Sequence, residues 1–367
     1  MNIVATLTQE KISEVQSVKR EEPLFRIDPL TDPRWETLLA QHADASVFHS
    51  RAWLDALRRT YGYQSFAFTS AAPKEPLRDG LPFCSVENWI TGRRLVSVPF
   101  SDHCTPLIDS EAEFGSLLSR LHQLADEGRE KYLEIRSIAG CAGMPPDFPG
   151  TSSFCLHRLD LRPSLNEIFR AFHGSCIRRK IASAPRKGVT YEDGTSEELL
   201  NKFYRLALLT RRRQQIPPQP LSWFRNLIAC FGERVKIRLA SHEGQPAAGI
   251  LTIRYKGSMT YKYGGSDLRF HRLGPMQLLM WKAIQEAKEN ALLEFDMGRT
   301  DWSNEGLLTF KDRWGAARST LLYFRHPAPK PHHLMADVRM RIAKRVFAWA
   351  PYSLLSSAGN ILYRHIG

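Results

Sequence analysis

The chain of 367 residues has no C-x-x-C pair, no H-x-x-x-H spacing and no glycine-rich nucleotide fingerprint. Its six cysteines (Cys84, Cys104, Cys141, Cys155, Cys176 and Cys230) are scattered, which argues against a zinc ribbon or a dithiol redox centre. The twelve histidines form no ligand grouping, and no metal is expected. No apolar run approaches the roughly 20 residues that span a bilayer. The first ten residues lack the charged start and apolar core of a signal peptide. Together these absences predict a cytoplasmic protein with free thiols. Long polar tracts are also missing, and a hydrophobic content of 43% is ample for one large or two medium cores.

What the chain has in excess is positive charge. A formal charge of +13 implies attraction to polyanions, whether nucleic acid, phospholipid headgroups or a phosphorylated substrate. The plain alternative is a generally basic protein with no such partner. A recognised nucleic-acid-reading motif, such as an aromatic-studded RNA-binding strand, is absent.

Residues 1–22 read as a flexible N-terminus. From there the first half predicts an amphipathic helix over 51–60 with Ser50 as its cap, strands at 63–69, 80–87 and 94–100, a helix near 111–127 and a strand at 131–136. The second half repeats that order. Strands at 249–255 and 258–263 hinge on Lys256-Gly257, and Gly264-Gly265-Ser266-Asp267 is expected to break the second of them. His271-Arg-Leu-Gly-Pro275 opens a helix over 276–290, with proline where a helix start tolerates it, and a strand follows at 292–296. A polar loop is expected from Asn304 to Gly315. Ser101-Asp102 and Ser266-Asp267, like Leu133-Glu-Ile135 and Leu293-Glu-Phe295, recur at nearly the same offset and in the same structural slot. Element order and echoes together predict two copies of one domain, at 23–165 and 166–328. Residues 329–367 read as a basic, amphipathic helical tail, whose stretch 339–349 suits a membrane surface as well as ordinary packing.

Several stretches resemble one family: Arg178-Arg-Lys-Ile-Ala-Ser-Ala-Pro-Arg-Lys-Gly-Val189, Tyr263-Gly-Gly-Ser-Asp267, Leu273-Gly-Pro-Met-Gln-Leu-Leu-Met-Trp281, Phe295-Asp-Met-Gly298 and Leu308-Thr-Phe-Lys-Asp-Arg-Trp-Gly315. They resemble the FemAB-like acyltransferases of the GNAT superfamily. The resemblance implies an α/β (α+β) fold of two tandem GNAT-like domains, each a mixed β-sheet flanked by helices. It also implies transfer of an acyl or aminoacyl group from an activated carrier to an amine, often on a cell-envelope precursor. Acyl-CoA or aminoacyl-transfer RNA would then be a co-substrate rather than a resident cofactor. Arg269-Phe-His-Arg-Leu-Gly-Pro275 lacks the strict R/Q-x-x-G-x-G/A carrier loop, and residues 272–290 allow one helix rather than a paired transfer-RNA arm, so the donor stays open. The acceptor is expected to be a small or lipid-linked molecule, with transfer RNA and the membrane surface as further partners.

Acyl transfer to an amine needs a stabiliser for the tetrahedral oxyanion. Lys311, after Phe310, matches the lysine that the resembling family places at the reaction centre, with Phe310 beside the substrate. Glu294 and Asp296 sit two apart on a strand and share a face, so either carboxylate can accept a proton from the nucleophile, with Asp296 the leading candidate and Asp301 and Glu305 competing. Asp102 and His103 are candidate acceptor-binding groups, as is Tyr263, and Cys104 reads as a small buried residue. Arg178, Arg179 and Lys180, with Arg186 and Lys187, form the densest basic cluster, a phosphate grip or simply a solvated helix face. Arg272 and Gly274, at a helix start, are the expected carrier-binding positions.

Overall fold

The computed structural model describes residues 23–88, 92–109, 130–140 and 150–328, with 115, 117–121, 123, 128 and Tyr363. The expected N-terminal segment 1–22, most of the helix near 111–127, Cys141 and the tail apart from Tyr363 lie outside the described residues. The first half supplies β1 (Phe25–Ile27), β2 (Gln64–Thr69), β3 (Leu81–Asn88), β4 (Gly92–Val96), β5 (Glu130–Ile138) and β6 (Thr151–Asp160). The second supplies β7 (Val189–Gly194), β8 (Val235–His242), β9 (Gln245–Tyr255), β10 (Ser258–Ser266), β11 (Glu294–Thr300) and β12 (Ala317–His326). All twelve join one mixed sheet in the order β1-β2-β3-β4-β5-β12-β6-β11-β10-β9-β8-β7.

Each half repeats one pattern, as the order of elements predicted. An antiparallel run of four strands, β1 to β4 or β7 to β10, ends beside a fifth strand that pairs parallel, β4 with β5 and β10 with β11. The parallel pairing of β10 with β11 lasts only from Ser258↔Glu294 to Thr260↔Asp296. Beyond it β10 stays with β9 and β11 stays with β6, so the sheet opens there. The halves are also laced together. The last strand, β12, runs back to lie between β5 and β6, so the sheet crosses the sequence boundary expected at 165/166.

Local chemistry explains the elements. Ser50 caps the helix Arg51–Tyr61 by accepting from the Trp53 N–H, and the αL Gly62 ends it. Gly264 and Gly265 do not break β10, which runs through both to Ser266. They are needed for close approach: a Cβ on Gly265 would lie 2.5 Å from the backbone carbon of Leu206 in the crossing helix Glu197–Gln214. The stretch read as a polar loop contains a helix, Glu305–Asp312, because Asn304 accepts from the Leu307 N–H at 3.2 Å and starts it. The strand expected at 94–100 stops at Val96, since Val98 and Phe100 take positive φ and turn the chain.

The halves meet over an aromatic core. Trp53 and Trp223, both fully buried, pack edge to face with centroids 5.2 Å apart, and the Trp223 indole N–H donates to the Tyr263 hydroxyl at 2.9 Å. Such a pair adds about 1 kcal/mol to the burial of its surface. Tyr363 docks on the same core: its hydroxyl donates to the Pro217 carbonyl at 3.0 Å, and its own carbonyl accepts from Tyr63 at 2.7 Å.

Candidate active site

The opening between β10 and β11 is where charged side chains from both halves converge. On β11, Gly298 adopts φ +72°, and a Cβ there would stand 3.1 Å from Oδ2 of Asp102. Glycine therefore lets the loop from the first half come close. Its N–H donates to Oδ1 of Asp296 at 2.7 Å and its carbonyl accepts from Nζ of Lys311 at 2.6 Å. Lys311 sits three residues after Leu308, so both project from the buried face of their helix. The lysine is 3% exposed, and its ammonium also reaches the Arg299 carbonyl at 3.3 Å. Burial pulls its pKa down to about 8, although the carboxylates of Asp102 and Asp296 oppose the fall. The nitrogen lies at the junction of the halves, not in bulk water.

From the first half, the loop after β4 contributes Asp102 and His103. Asp102 pairs with Lys262 of β10 at 2.9 Å, and its backbone carbonyl accepts from the Tyr323 hydroxyl at 2.7 Å. Burial lowers the Lys262 pKa, partly offset by Asp102. His103 Nε2 lies 3.3 Å from Oδ2 of Asp296, across 193 residues of chain. Burial pushes the Asp296 carboxyl up, but the hydrogen bond and charge of His103, the Gly298 N–H and the Lys311 charge outweigh it and hold the group below its ordinary range. An acid held low is a poor proton acceptor, and Asp296, the leading base from sequence, is better suited to orient a neighbour.

His103 and Asp296 form part of the floor of a cleft of ≈ 370 Å³ between the halves. Residues 43–47 and Ile138 line one side, and Arg158, residues 255–258, Thr260, Leu293 and Glu294 the other. Glu294 pairs with Arg158 at 3.3 Å; burial raises its pKa, and Arg158 opposes the rise.

A second charged region surrounds the start of the helix Pro275–Glu289. Gly274 caps it in the αL conformation, and Pro275 opens it without an N–H of its own. The basic segment packs directly on this point, because a Cβ on Gly274 would lie 2.9 Å from Cβ of Lys180. Lys187 donates to the Arg272 carbonyl at 3.4 Å, and burial with the charges of Arg213 and Lys180 lowers the His271 pKa. The segment folds as a π-helical turn, Gly174–Arg178, and a short helix, Arg179–Ser183. Its start is tied to the far end of the Lys311 helix by the His173 N–H donating to the Arg313 carbonyl at 2.8 Å. Arg178 is half-buried with an unpaired Nε, and Arg179 and Arg272 are exposed. Cations around free helix N–H groups suit an anionic group such as a phosphate.

The structure thus gathers the sequence candidates into two places. Lys311, Asp296, Asp102 and His103 meet at the junction, while Arg178, Arg179, Lys180, Arg272 and Gly274 meet at the helix start. Two candidates pack elsewhere: Tyr263 is in the aromatic core bonded to Trp223, and half-buried Phe310 rests against Trp314 at 6.2 Å. Cys104 is fully buried. Lys262, Glu294's partner Arg158 and the His103–Asp296 contact were not singled out from sequence; Lys262 sits at a register shift in β10, with its ammonium over the rings of Phe48 and Trp53, and no local pattern reports that.

Residues 174–312 match the family model described as an acetyltransferase (GNAT) domain, a span that runs from the π-helical turn to the residue after Lys311. The fold is that of FemX: the two share 14% identity over 84% of this chain and 97% of that one, with a TM-score of 0.61. Residues 174–312 are thus similar to a GNAT acetyltransferase domain, within a fold like that of FemX. The chain is also similar, at 17% identity, to L-PGS from Bacillus licheniformis over 88% of this chain and 99% of that one, with a TM-score of 0.49. A tandem GNAT protein from the clavulanic acid biosynthesis pathway is 13% identical over 84% of this chain and 100% of that one, again with a TM-score of 0.49. No curated protein matches the chain in sequence. Among the described residues no helix is long and apolar enough to cross a membrane, and no group of three or more His, Cys, Asp or Glu could hold a metal.

Proposed function

We propose that this acyltransferase moves an acyl group from a phosphate-bearing carrier of the acyl-CoA type to an amine of a cell-envelope or polysaccharide precursor. The observation that carries the reading is the position of Lys311, an ammonium buried where the donor-side opening of the sheet meets the cleft between the halves. The carrier's phosphates lie against Arg178, Arg179, Lys180 and Arg272 and the N–H groups that follow Gly274. Its acyl end reaches along the gap between β10 and β11. The acceptor approaches through the cleft, and its amine attacks the activated carbonyl. The oxygen turns negative as the C–N bond forms, and Lys311 exchanges a backbone carbonyl for that oxyanion. An electrostatic donor so placed is commonly the largest single contribution to such a step. A peripheral position at the inner membrane face would bring the tail stretch 339–349 to anionic lipid and the cleft to a lipid-linked acceptor.

A thermal-shift panel of acyl-CoAs, charged transfer RNA and lipid- or nucleotide-linked sugars tests the reading. Stabilisation by one acyl-CoA and one amine acceptor, followed by release of free thiol when both are present, supports it. Stabilisation by charged transfer RNA alone moves the same site to aminoacyl transfer. Salt-sensitive binding of any nucleic acid, with no response to acyl carriers, would make the charge a nucleic-acid surface and defeat the enzymatic reading.

A further inference from the structure

The hydrogen bond between His103 and Asp296 fixes more than position. Asp296 is 3% exposed and ionised, so the ring nitrogen facing it, Nε2, carries the proton and donates. In a neutral imidazole that leaves Nδ1 with a lone pair. Nδ1 has no hydrogen-bond partner among the described residues, while His103 itself lines the cleft. The ring is held edge to face by Phe48, centroids 5.3 Å apart, so packing and hydrogen bond fix one orientation. Through Asp296 the same assembly is continuous with the Gly298 peptide, whose carbonyl holds Lys311.

We propose that His103 is the general base of this acyltransferase, with Nδ1 taking the proton of an amine acceptor bound in the cleft and Asp296 acting as the positioning residue behind it. The inference rests on the acyl-transfer reading above and assigns its proton path. A neutral amine attacks the donor carbonyl and the C–N bond forms. The excess proton on nitrogen passes to Nδ1. The bond from the carbonyl carbon to the carrier's sulfur breaks, the leaving thiolate takes up a proton, and the imidazolium returns its own to solvent, so the sum is amine plus thioester giving amide plus thiol. The cleft wall suits a cationic acceptor: an amine that arrives as ammonium first gives one proton to solvent and then attacks as the neutral amine. Asp44, Glu294 and Asp296 line it, whereas the one lysine there, Lys256, has its ammonium bound by the carbonyls of Leu39, Ala40 and His42 at 2.8–3.3 Å. The other titratable and charged groups around the ring are Arg158 across the cleft, Asp102 beside it in the loop, Lys262 beyond Asp296, and His49, which burial holds neutral with a pKa of about 3.

The test compares wild type with His103→Ala and His103→Gln. Loss of a general base is expected to lower kcat about 100- to 10,000-fold, with the KM for the donor unchanged. Added imidazole should restore part of the rate of His103→Ala. A variant within threefold of wild type, or a loss that imidazole leaves untouched alongside a raised donor KM, overturns the assignment. A second measurement is independent of turnover. Nitrogen NMR of histidine-labelled protein, with the His103 signal identified by its loss in His103→Gln, should show the Nε2-protonated tautomer. A ring protonated on Nδ1 overturns the proposal whatever the donor is. Absence of transfer in wild type with every donor, alongside the Nε2 tautomer, counts against the functional reading and leaves the dyad standing.

Discussion

Replacing Lys311 by methionine keeps the length of the side chain and removes its charge from between the carbonyls of Gly298 and Arg299. If the ammonium meets the oxyanion, the substitution takes away one preorganised donor in a buried site, which costs about 3–4 kcal/mol in the transition state, a fall in kcat of roughly 100- to 1000-fold. Donor binding should be spared, because the phosphate-facing cations lie at the other end of the opening. A second signature separates charge from shape. With a folded pKa of about 8, wild-type Lys311 loses its proton as pH rises through that value, so the rate should fall on the alkaline side, and the residual activity of Lys311→Met should lack that limb. Stability runs the opposite way. The unfolded chain holds the lysine's proton up to its ordinary pKa of 10.5, so between about pH 8 and 10.5 the unfolded state binds more protons and folding stability rises with pH. The gain is at most about 3 kcal/mol, and the methionine variant should not show it. The assay is thiol release at saturating donor over pH 6–10, paired with denaturant unfolding at the same pH values. A Lys311→Met enzyme within threefold of wild type would refute the reasoning.

Three further experiments probe the frame and the basic segment. Gly265→Ala drives a methyl into the Leu206 and Ala207 backbone, at 2.5 and 2.6 Å, and should cost about 3 kcal/mol, read as a lowered denaturation midpoint. Glu286→Gln strips the carboxylate from fully buried Arg238, 2.7 Å away, and should destabilise by about 3 kcal/mol or more; Arg238→Met with Glu286→Leu should regain much of the loss. Exchanging Arg179 and Lys180 for glutamine should weaken donor binding without changing kcat at saturation, and the deficit should shrink as salt rises, checked by calorimetric titration at two ionic strengths.

Much of the frame is legible in the sequence because it is written locally. The cap at Ser50, the turn at Lys256-Gly257 and the proline at 275 each act within a few residues, and the recurrence of strands, helix and strand exposes the duplication. Gly264-Gly265 misled for a physical reason: nothing local tells a glycine that ends a strand from one that admits a helix crossing above it. The helix Glu305–Asp312 was hidden by its polar exposed face. The placement of β12 between β5 and β6 depends on pairing across 159 to 193 residues of chain, which no period of 2 or 3.6 reports. The site divides the same way. Lys311 stands out through its neighbours Phe310 and Trp314, and the basic cluster through charge density. The contact of His103 with Asp296 arises only when the halves close, and it shifts the proton-accepting role from the carboxylate to the imidazole.

The most direct measurement is a crystal structure with a bisubstrate analogue that joins an amine to CoA through a linker bearing a carbonyl oxygen in place of the oxyanion. The account predicts that oxygen within hydrogen-bond distance of Nζ of Lys311, the amine in the cleft beside His103, and the pyrophosphate against Gly274 and Lys180. An analogue bound with its carbonyl turned away from Lys311, or seated outside the opening between β10 and β11, would contradict it.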